Sequence, residues 1–547
     1  MPVLFRDYDR DGDVSSAIVP GDALRPDPQK APIGQLLVLL RVLASAIGRC
    51  TLALLTRAAR PWELPGARLR PPALAQAPLI GFLRAARFEH PELRCRHLDL
   101  GTADADAAGQ VLGWLDSAAP ADLVLRGAAG FVEQLRPSEP SREDAPPIRP
   151  DGTYLVTGGL GGLGLRVAAW LIARGARHLC LVGRGSQEDS AADPLVALRR
   201  PGVQIDVVRA DVASPDELSQ LLTALRGKGP PLRGVIHCAG VLADSVLTKM
   251  TAAQLAAVLS PKLHGSWQLH LQTLADPVEL FVLFSSAAAV LGAPAQCNYA
   301  AANAFLGALA HLRRGQGLPA LCIHWGAWAE VGLAAQSGYA QHHAQHGMNA
   351  LSPEEGVALL ELAVGSRETE LLAMAADWER FFQTTPELAS TPLFAQLAAR
   401  SSRLRPESGS AALSRERLHK IAPGQRLNVF TEQLSARLAP LFGLSAAELP
   451  TDRPLGSLGL DSLVAVKIKN LVDRELDIRL PVAKLYQGLS LRQLADDLLG
   501  QLFETADGLS RSVAAVKQDT AERGNERRQG DERLQQLRDR RRGPKPT

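Results

Sequence analysis

The run Thr157-Gly158-Gly159-Leu160-Gly161-Gly162-Leu163-Gly164 joins an apolar, β-rich segment to an amphipathic helical one. Such a run is suited to holding a phosphate. Its glycines permit a tight turn, let backbone amides approach a pyrophosphate, and let the helix pack closely on the strand. The helix start adds free N–H groups and the positive end of its dipole. A purely structural glycine turn is the bland alternative, but the run heads a series of strand–helix alternations, and that argues for the nucleotide. The next β-rich segment ends in Gly183-Arg184-Gly185. An acid there would grip a ribose 2′-hydroxyl, whereas a guanidinium suits a 2′-phosphate. Arg184 therefore favours NADPH over NADH, unless it is only a solvated surface residue. Asp211 and Val212 end the third β-rich segment, where they would meet the adenine, although an aspartate in a loop also suits a helix cap.

A second chemistry is open to Gly459-Leu460-Asp461-Ser462-Leu463, which precedes a helical stretch carrying Val466, Ile468, Leu471 and Val472 near one stripe. A phosphate esterified to Ser462 would sit at an exposed helix start, where the dipole favours it. The competing reading is a plain N-cap. His342, His343 and His346 include an i, i+4 pair of the kind that binds zinc on helices. No cysteine or carboxylate cluster supports them, and no metal is expected.

The elements that must position these residues follow from apolar patterning. From residue 152, six β-rich runs recur (TYLVTGG, HLCLVGRG, QIDVVRADV, RGVIHCAG, ELFVLFSS and ALCIHWGAW), separated by Ala- and Leu-rich helical segments. Continuous apolar strands between helices indicate a parallel sheet covered on both faces. The fold class is α/β, a doubly wound Rossmann-like parallel sheet, with helical periodicity in a smaller C-terminal domain. The expected organisation is an unassigned segment 1–30, a globular region 31–135, a Pro- and acid-rich linker 136–150, the α/β domain 151–395, a linker 396–424, the small domain 425–503 and a charged tail 504–547. That tail buries too little apolar surface to fold alone, and it is either disordered or a docking helix.

The chain has 547 residues, too many for a single core, and a formal net charge of +3, which gives no reason to expect nucleic acid. Its six cysteines, Cys50, Cys95, Cys180, Cys238, Cys297 and Cys322, lack metal-ligand spacing and fit a reducing compartment. Residues 1–30 do not read as a signal peptide, and the early apolar run from Leu37 is too short to span a bilayer. A cytoplasmic protein with no membrane partner is expected.

The TGGLGGLG turn, HCAGVLADSVL, SPKLHGSWQLH, FVLFSSAAAVLGAPAQCNYAAANAFLGALA and HWGAWAEVGL, in this order, closely resemble the ketoreductase domains of modular polyketide synthases, within the short-chain dehydrogenase/reductase superfamily. The resemblance implies reduction of a 3-oxoacyl thioester by NADPH. Tyr299 would be the acid and Ser286 a second donor to the ketone oxygen. Lys262 and Asn303 would complete the tetrad, with Lys262 favouring the phenolate. Many relatives carry that lysine four residues after the tyrosine, where Asn303 stands here, and this exchange is itself the polyketide pattern. The same resemblance places Ala239 and Gly240 beside the cofactor, with Thr157, Gly159, Leu160, Gly161, Gly162, Leu163 and Gly164. It makes Leu242-Ala243-Asp244, Leu291, Pro294 and Asn298 the stereocontrol positions. Asp244 and the missing tryptophan at Leu291 match B-type members, which yield a D-configured hydroxyl, whereas Ala243 departs from their motif.

LLTRAARPW, PLIGFLRAARFEHPELRCRHLDL and LVLRGAAGF resemble the non-catalytic structural half of such reductases, and the strand unit that should precede it is not identifiable in residues 1–30. LPTDRPLGSLGLDSLVAVKIKNLVDREL resembles an acyl carrier domain of four helices, implying 4′-phosphopantetheine on Ser462, a phosphopantetheinyl transferase, and partner subunits or modules bearing ketosynthase and acyltransferase. Trp325 and Trp328 would line the acyl entrance or pack in the core. Two rival readings stand beside this one: a catalytically silent scaffold that only carries and docks, and a free-standing reductase of small ketones.

Overall fold

The computed structural model describes residues 3–4, 32–45, 51–60, 74–101, 107–117, 120–138, 145–185, 195–332, 344, 347–401, 418, 421–442, 444, 446–458, 460, 464–465, 468–469, 471–472, 476, 478, 480, 482–485 and 487–503. The chain divides into two units, Met1–Glu407 and Ser408–Thr547.

The first unit opens with β1 (Val3–Leu4), α1 (Pro32–Ser45), β2 (Leu52–Arg57), α2 (Ala77–Glu89), β3 (Arg96–Leu100), α3 (Ala107–Asp116), β4 (Asp122–Arg126) and β5 (Ala129–Phe131). These strands lie side by side in chain order. All pair in parallel except the β4–β5 hairpin. Residues 1–30, where the sequence marks no strand, supply an edge strand after all, with Val3 and Leu4 paired to Leu52 and Ala53. Two residues are too few to register as an apolar run.

A second sheet follows: β6 (Thr153–Thr157), α4 (Gly162–Ala173), β7 (His178–Gly183), β8 (Gln204–Arg209), α5 (Pro215–Lys228), β9 (Leu232–His237), α6 (Ala252–Leu259), α7 (Ser266–Gln272), β10 (Leu280–Ser286), α8 (Ala288–Leu291), α9 (Cys297–Gly315), β11 (Leu321–Trp325), β12 (Met348–Asn349), α10 (Pro353–Val364) and β13 (Glu370–Ala373). Seven of these strands form the parallel sheet, in the order β13-β11-β10-β9-β6-β7-β8, while β12 pairs antiparallel with Ala375–Ala376 outside it. The six apolar runs are all strands, and β13 is a seventh that its short, partly exposed sequence does not announce. Strand order reverses between β6 and β9, and the crevice beyond the carboxyl ends at such a reversal is where open α/β sheets bind ligands.

Local sequence accounts for the helix starts. Ser214 caps α5 by accepting from the Glu217 amide, with Pro215 at the first helical position. Thr251 with Gln254, and Ser352 with Glu355, form capping boxes. The two sheets share one core, in which Leu36, Leu54 and Phe82 from the first belong to the same buried cluster as Leu155, Phe281 and Phe305 from the second. Such contiguity removes a large apolar area from water and couples the stability of the two halves.

Within the second unit, helix Pro423–Leu438, a short turn Leu455–Leu458, helix Val482–Leu485 and a helix over 491–503 surround a core of Phe430, Leu434, Ile468, Val472, Leu480 and Leu494. Ile468 and Val472 of the expected stripe are fully buried there. Ser462, Val466 and the tail 504–547 lie outside the described residues, as do His342, His343 and His346. Among the described residues, no helix is long and apolar enough to cross a membrane.

Candidate active site

A cavity of about 590 Å³ runs across the carboxyl ends of β6–β11 in the second sheet. Most of the residues expected to touch a cofactor line it: Leu160, Gly161, Gly162, Leu163, Gly164, Arg184, Asp211, Val212, Ala239 and Gly240. Thr157 and Gly159 stand behind that lining. Thr157 is fully buried, with Oγ1 hydrogen-bonded to His237 Nδ1 at 2.7 Å. Gly159 lies against the Leu181 backbone of β7.

The turn needs its glycines for specific reasons. Gly158 has φ +66, a left-handed value that costs a side chain, and Gly164 passes so close to the turn that a Cβ would lie 2.6 Å from Gly159 Cα. Asp211 lines the cavity and also organises the start of α5, since its Oδ1 accepts from the Ala213 amide at 2.9 Å. Arg184 is exposed on the loop after β7.

Ser286 ends β10, and Tyr299 sits in the first turn of α9, bringing two residues thirteen apart to the same cavity. Lys262 reaches it from the π-helical segment Ser260–Gly265. Its stem passes Gly240 so closely that a Cβ there would come within 2.8 Å of Lys262 Cε. The ammonium donates to the Phe284 carbonyl of β10, and burial pulls it down to about 8. Asn303 lies one helical turn beyond Tyr299, where its Nδ2 donates to the Tyr299 carbonyl at 2.8 Å. Its Oδ1 is buried without a partner. Such an orphaned acceptor is costly unless something fills the need.

Burial pushes the Tyr299 phenol up to about 12, over the opposition of hydrogen bonds with the Asn303 and Ser286 side chains. At neutral pH the phenol is therefore protonated.

Leu291, at the end of α8, lines the cavity, whereas Pro294 and Asp244 do not. Asp244 is held by Gln296, whose Nε2 donates to Oδ2 at 2.9 Å and which itself lines the cavity. Asn298 is buried and ties its Nδ2 to the Ala243 carbonyl at 2.9 Å. Trp325 and Trp328 line the cavity and meet edge-on at 5.2 Å in the core. Gln296 and Val331 lie within the quoted motifs but are not singled out there, because neither residue type marks a site without knowledge of what folds beside it.

The residues present fit a dinucleotide. An extended cavity crosses the switch point and is lined by two hydroxyls and an ammonium, a glycine turn there would be filled by any Cβ, and the buried Asn303 Oδ1, one turn beyond Tyr299, lacks a partner. The family model described as the KR domain matches residues 152–330, and that described as the phosphopantetheine attachment site matches 432–498. A phenolphthiocerol/phthiocerol polyketide synthase polypeptide of Mycobacterium tuberculosis (strain CDC 1551 / Oshkosh) is 37% identical over 466 residues, which cover 82% of this chain and 25% of that protein. Polyketide synthase GfsA of Streptomyces halstedii is 32% identical over 83% of this chain and 6% of its own length. The chain thus spans a quarter or less of these curated relatives. An A1-type ketoreductase structure matches with TM-score 0.63 and 33% identity, covering 70% of this chain and 82% of that one. An A-type ketoreductase from a modular polyketide synthase matches with TM-score 0.61 and 33% identity, over 68% and 79%.

Proposed function

Because the chain belongs to the ketoreductase family of modular polyketide synthases, with a phosphopantetheine attachment region behind it, we propose that it reduces a carrier-bound 3-oxoacyl thioester to the 3-hydroxyacyl thioester with NADPH. The observation that carries this reading is the meeting of Ser286, Tyr299 and Lys262 at one cavity with the glycine turn, and Asn303 directly behind them. When bound, NADPH supplies a hydride to the 3-oxo carbon.

The glycine turn and the start of α4 hold the pyrophosphate, and Arg184 the 2′-phosphate. Ser286 donates a hydrogen bond to the ketone oxygen. Tyr299 Oη gives that oxygen its proton, a task for which an acid held protonated near neutral pH is suited. Lys262 and the free Oδ1 of Asn303 orient the hydroxyls through which the proton on Tyr299 is restored. Leu291 and the Asp244 segment bias the face of the ketone presented, giving the D-configured product of B-type members.

Ser462 carries 4′-phosphopantetheine, so the substrate arrives on a tether and effective concentration replaces intrinsic affinity. A phosphopantetheinyl transferase installs the arm, and ketosynthase and acyltransferase act from partner subunits or modules. Among the described residues, the free thiols of Cys180, Cys238, Cys297 and Cys322 support a reducing, cytoplasmic setting.

The test is incubation with NADPH and a 3-oxoacyl N-acetylcysteamine thioester, with chiral analysis of the product. NADPH oxidation and one hydroxyl configuration are expected. A folded protein that consumes no NADPH would leave only the carrier scaffold.

A further inference from the structure

Helix α2 belongs to the first sheet, outside the expected machinery, and ends on Glu89. A carboxylate at a helix C-terminus faces the negative end of the dipole and is locally unfavourable. Glu89 is also only 2% exposed, and a buried carboxylate persists only where hydrogen bonds compensate it. Its two oxygens serve two different segments. Oε2 accepts from the Leu247 amide at 2.6 Å. Oε1 accepts from the Ala295 amide at 3.0 Å and from the Cys297 thiol at 3.4 Å.

Residues 242–247 and 292–298 are the two segments that carry Asp244, Gln296 and the approach to Tyr299. They are tied to each other by the Ser245 amide on the Ala295 carbonyl at 2.8 Å, by Gln296 on Asp244 and by Asn298 on Ala243. Ala295 has φ 62, a left-handed conformation that an alanine holds only when its surroundings impose it. Here both its amide and its carbonyl are held, the amide by Glu89. Arg84, one turn earlier on α2, donates to the Ala289 carbonyl of α8 at 3.2 Å. A Cβ on Gly292 would meet the Arg84 carbonyl at 2.8 Å. The same helix thus grips α8, the turn after it and the start of α9.

We propose that Glu89 is a positioning residue: from the structural half of the protein it sets the conformation of the 242–247 and 292–298 segments, and through them the face of the 3-oxo group presented to the cofactor. This rests on the reductase reading above. A carboxamide at position 89 has one acceptor oxygen, and its NH₂ group would face a backbone N–H with nothing to accept.

The experiment compares full-length wild type, Glu89→Gln and Glu89→Gln with Ala295→Gly. Glycine adopts φ 62 without strain, so the double variant should need Glu89 less. In E89Q, hydrogen exchange should quicken selectively in peptides covering 242–249 and 292–298. NADPH affinity should stay within about twofold, kcat/KM for the thioester should fall about 10²-fold as expected of a misplaced site, and the product should become a mixture of configurations. In the double variant, exchange should slow and the single configuration return.

Exchange that rises evenly across the first unit, or is unchanged in those two segments, overturns the proposal. So does an unaltered ratio of product configurations. If the wild type itself turns over no substrate while the two segments still loosen selectively in E89Q, the reductase reading fails and the positioning of these segments by Glu89 stands.

Discussion

Lys262 offers a prediction in which function and stability pull apart. Its side chain is buried, at 4% exposure, and burial brings the ammonium from 10.5 to about 8. The folded state therefore binds this proton more weakly than the unfolded chain, and the displacement corresponds to about 3 kcal/mol against folding wherever the group is charged. Because the folded value lies below the unfolded one, wild-type stability should rise with pH between about 8 and 10.5. Lys262→Met keeps the length of the stem and removes the titration, at a cost of about 1 kcal/mol for the lost hydrogen bond to the Phe284 carbonyl. The variant should exceed wild type by about 2 kcal/mol at pH 7 and fall about 1 kcal/mol below it near pH 11. All seven tryptophans precede residue 408, so urea unfolding followed by tryptophan fluorescence reads the first unit alone. Activity should drop about 100-fold or more in the same variant. Stability curves for the two proteins that run parallel from pH 7 to 11 would refute the reasoning.

Tyr299→Phe should lower kcat/KM by about 10²–10⁴-fold, the usual worth of a proton donor, with NADPH affinity retained by fluorescence titration. Arg184→Ser should weaken NADPH relative to NADH by about 10–100-fold, the worth of charge-assisted bonds to one phosphate, read as the ratio of kcat/KM for the two cofactors. Ser462→Ala should leave reduction of a free thioester unchanged and abolish the phosphopantetheinyl mass gain on treatment with coenzyme A and a transferase. Glu370→Gln breaks the contact with His324, at 3.0 Å, and with His311, at 3.2 Å. Although burial opposes the charge of His324, Cys322 and Glu370 raise it to about 10. The pair's contribution is thus complete below about 6.5 and is lost as pH rises through about 10. The variant should be about 2 kcal/mol less stable at pH 6, a discounted figure because Glu370 is partly exposed, and no less stable near pH 11, by the same unfolding assay.

Much of this protein is legible from short-range patterns. The six apolar runs are long and β-rich enough to be strands, and the glycine turn after the first of them places the switch point of the sheet. Tyr299, Ser286 and Lys262 are identified by motif, and they do converge. Other features are not legible because their signals are weak or distant. Val3–Leu4 is too short to show a period, and β13 is only partly buried. The meeting of Tyr299, Ser286 and Lys262 depends on how α9, β10 and the 260–265 segment pack together, which no local pattern encodes.

The sequence alone determined the order of elements, the glycine-rich turn and the residue types able to move a proton, because each of these rests on spacing within a few residues. The tertiary structure decided the rest. It brought Lys262, Ser286 and Tyr299 to one cavity, and it joined Glu89 to amides 158 and 206 residues away. Contacts of that separation arise only when the chain has closed on itself, so their energetics are absent from any window of the sequence.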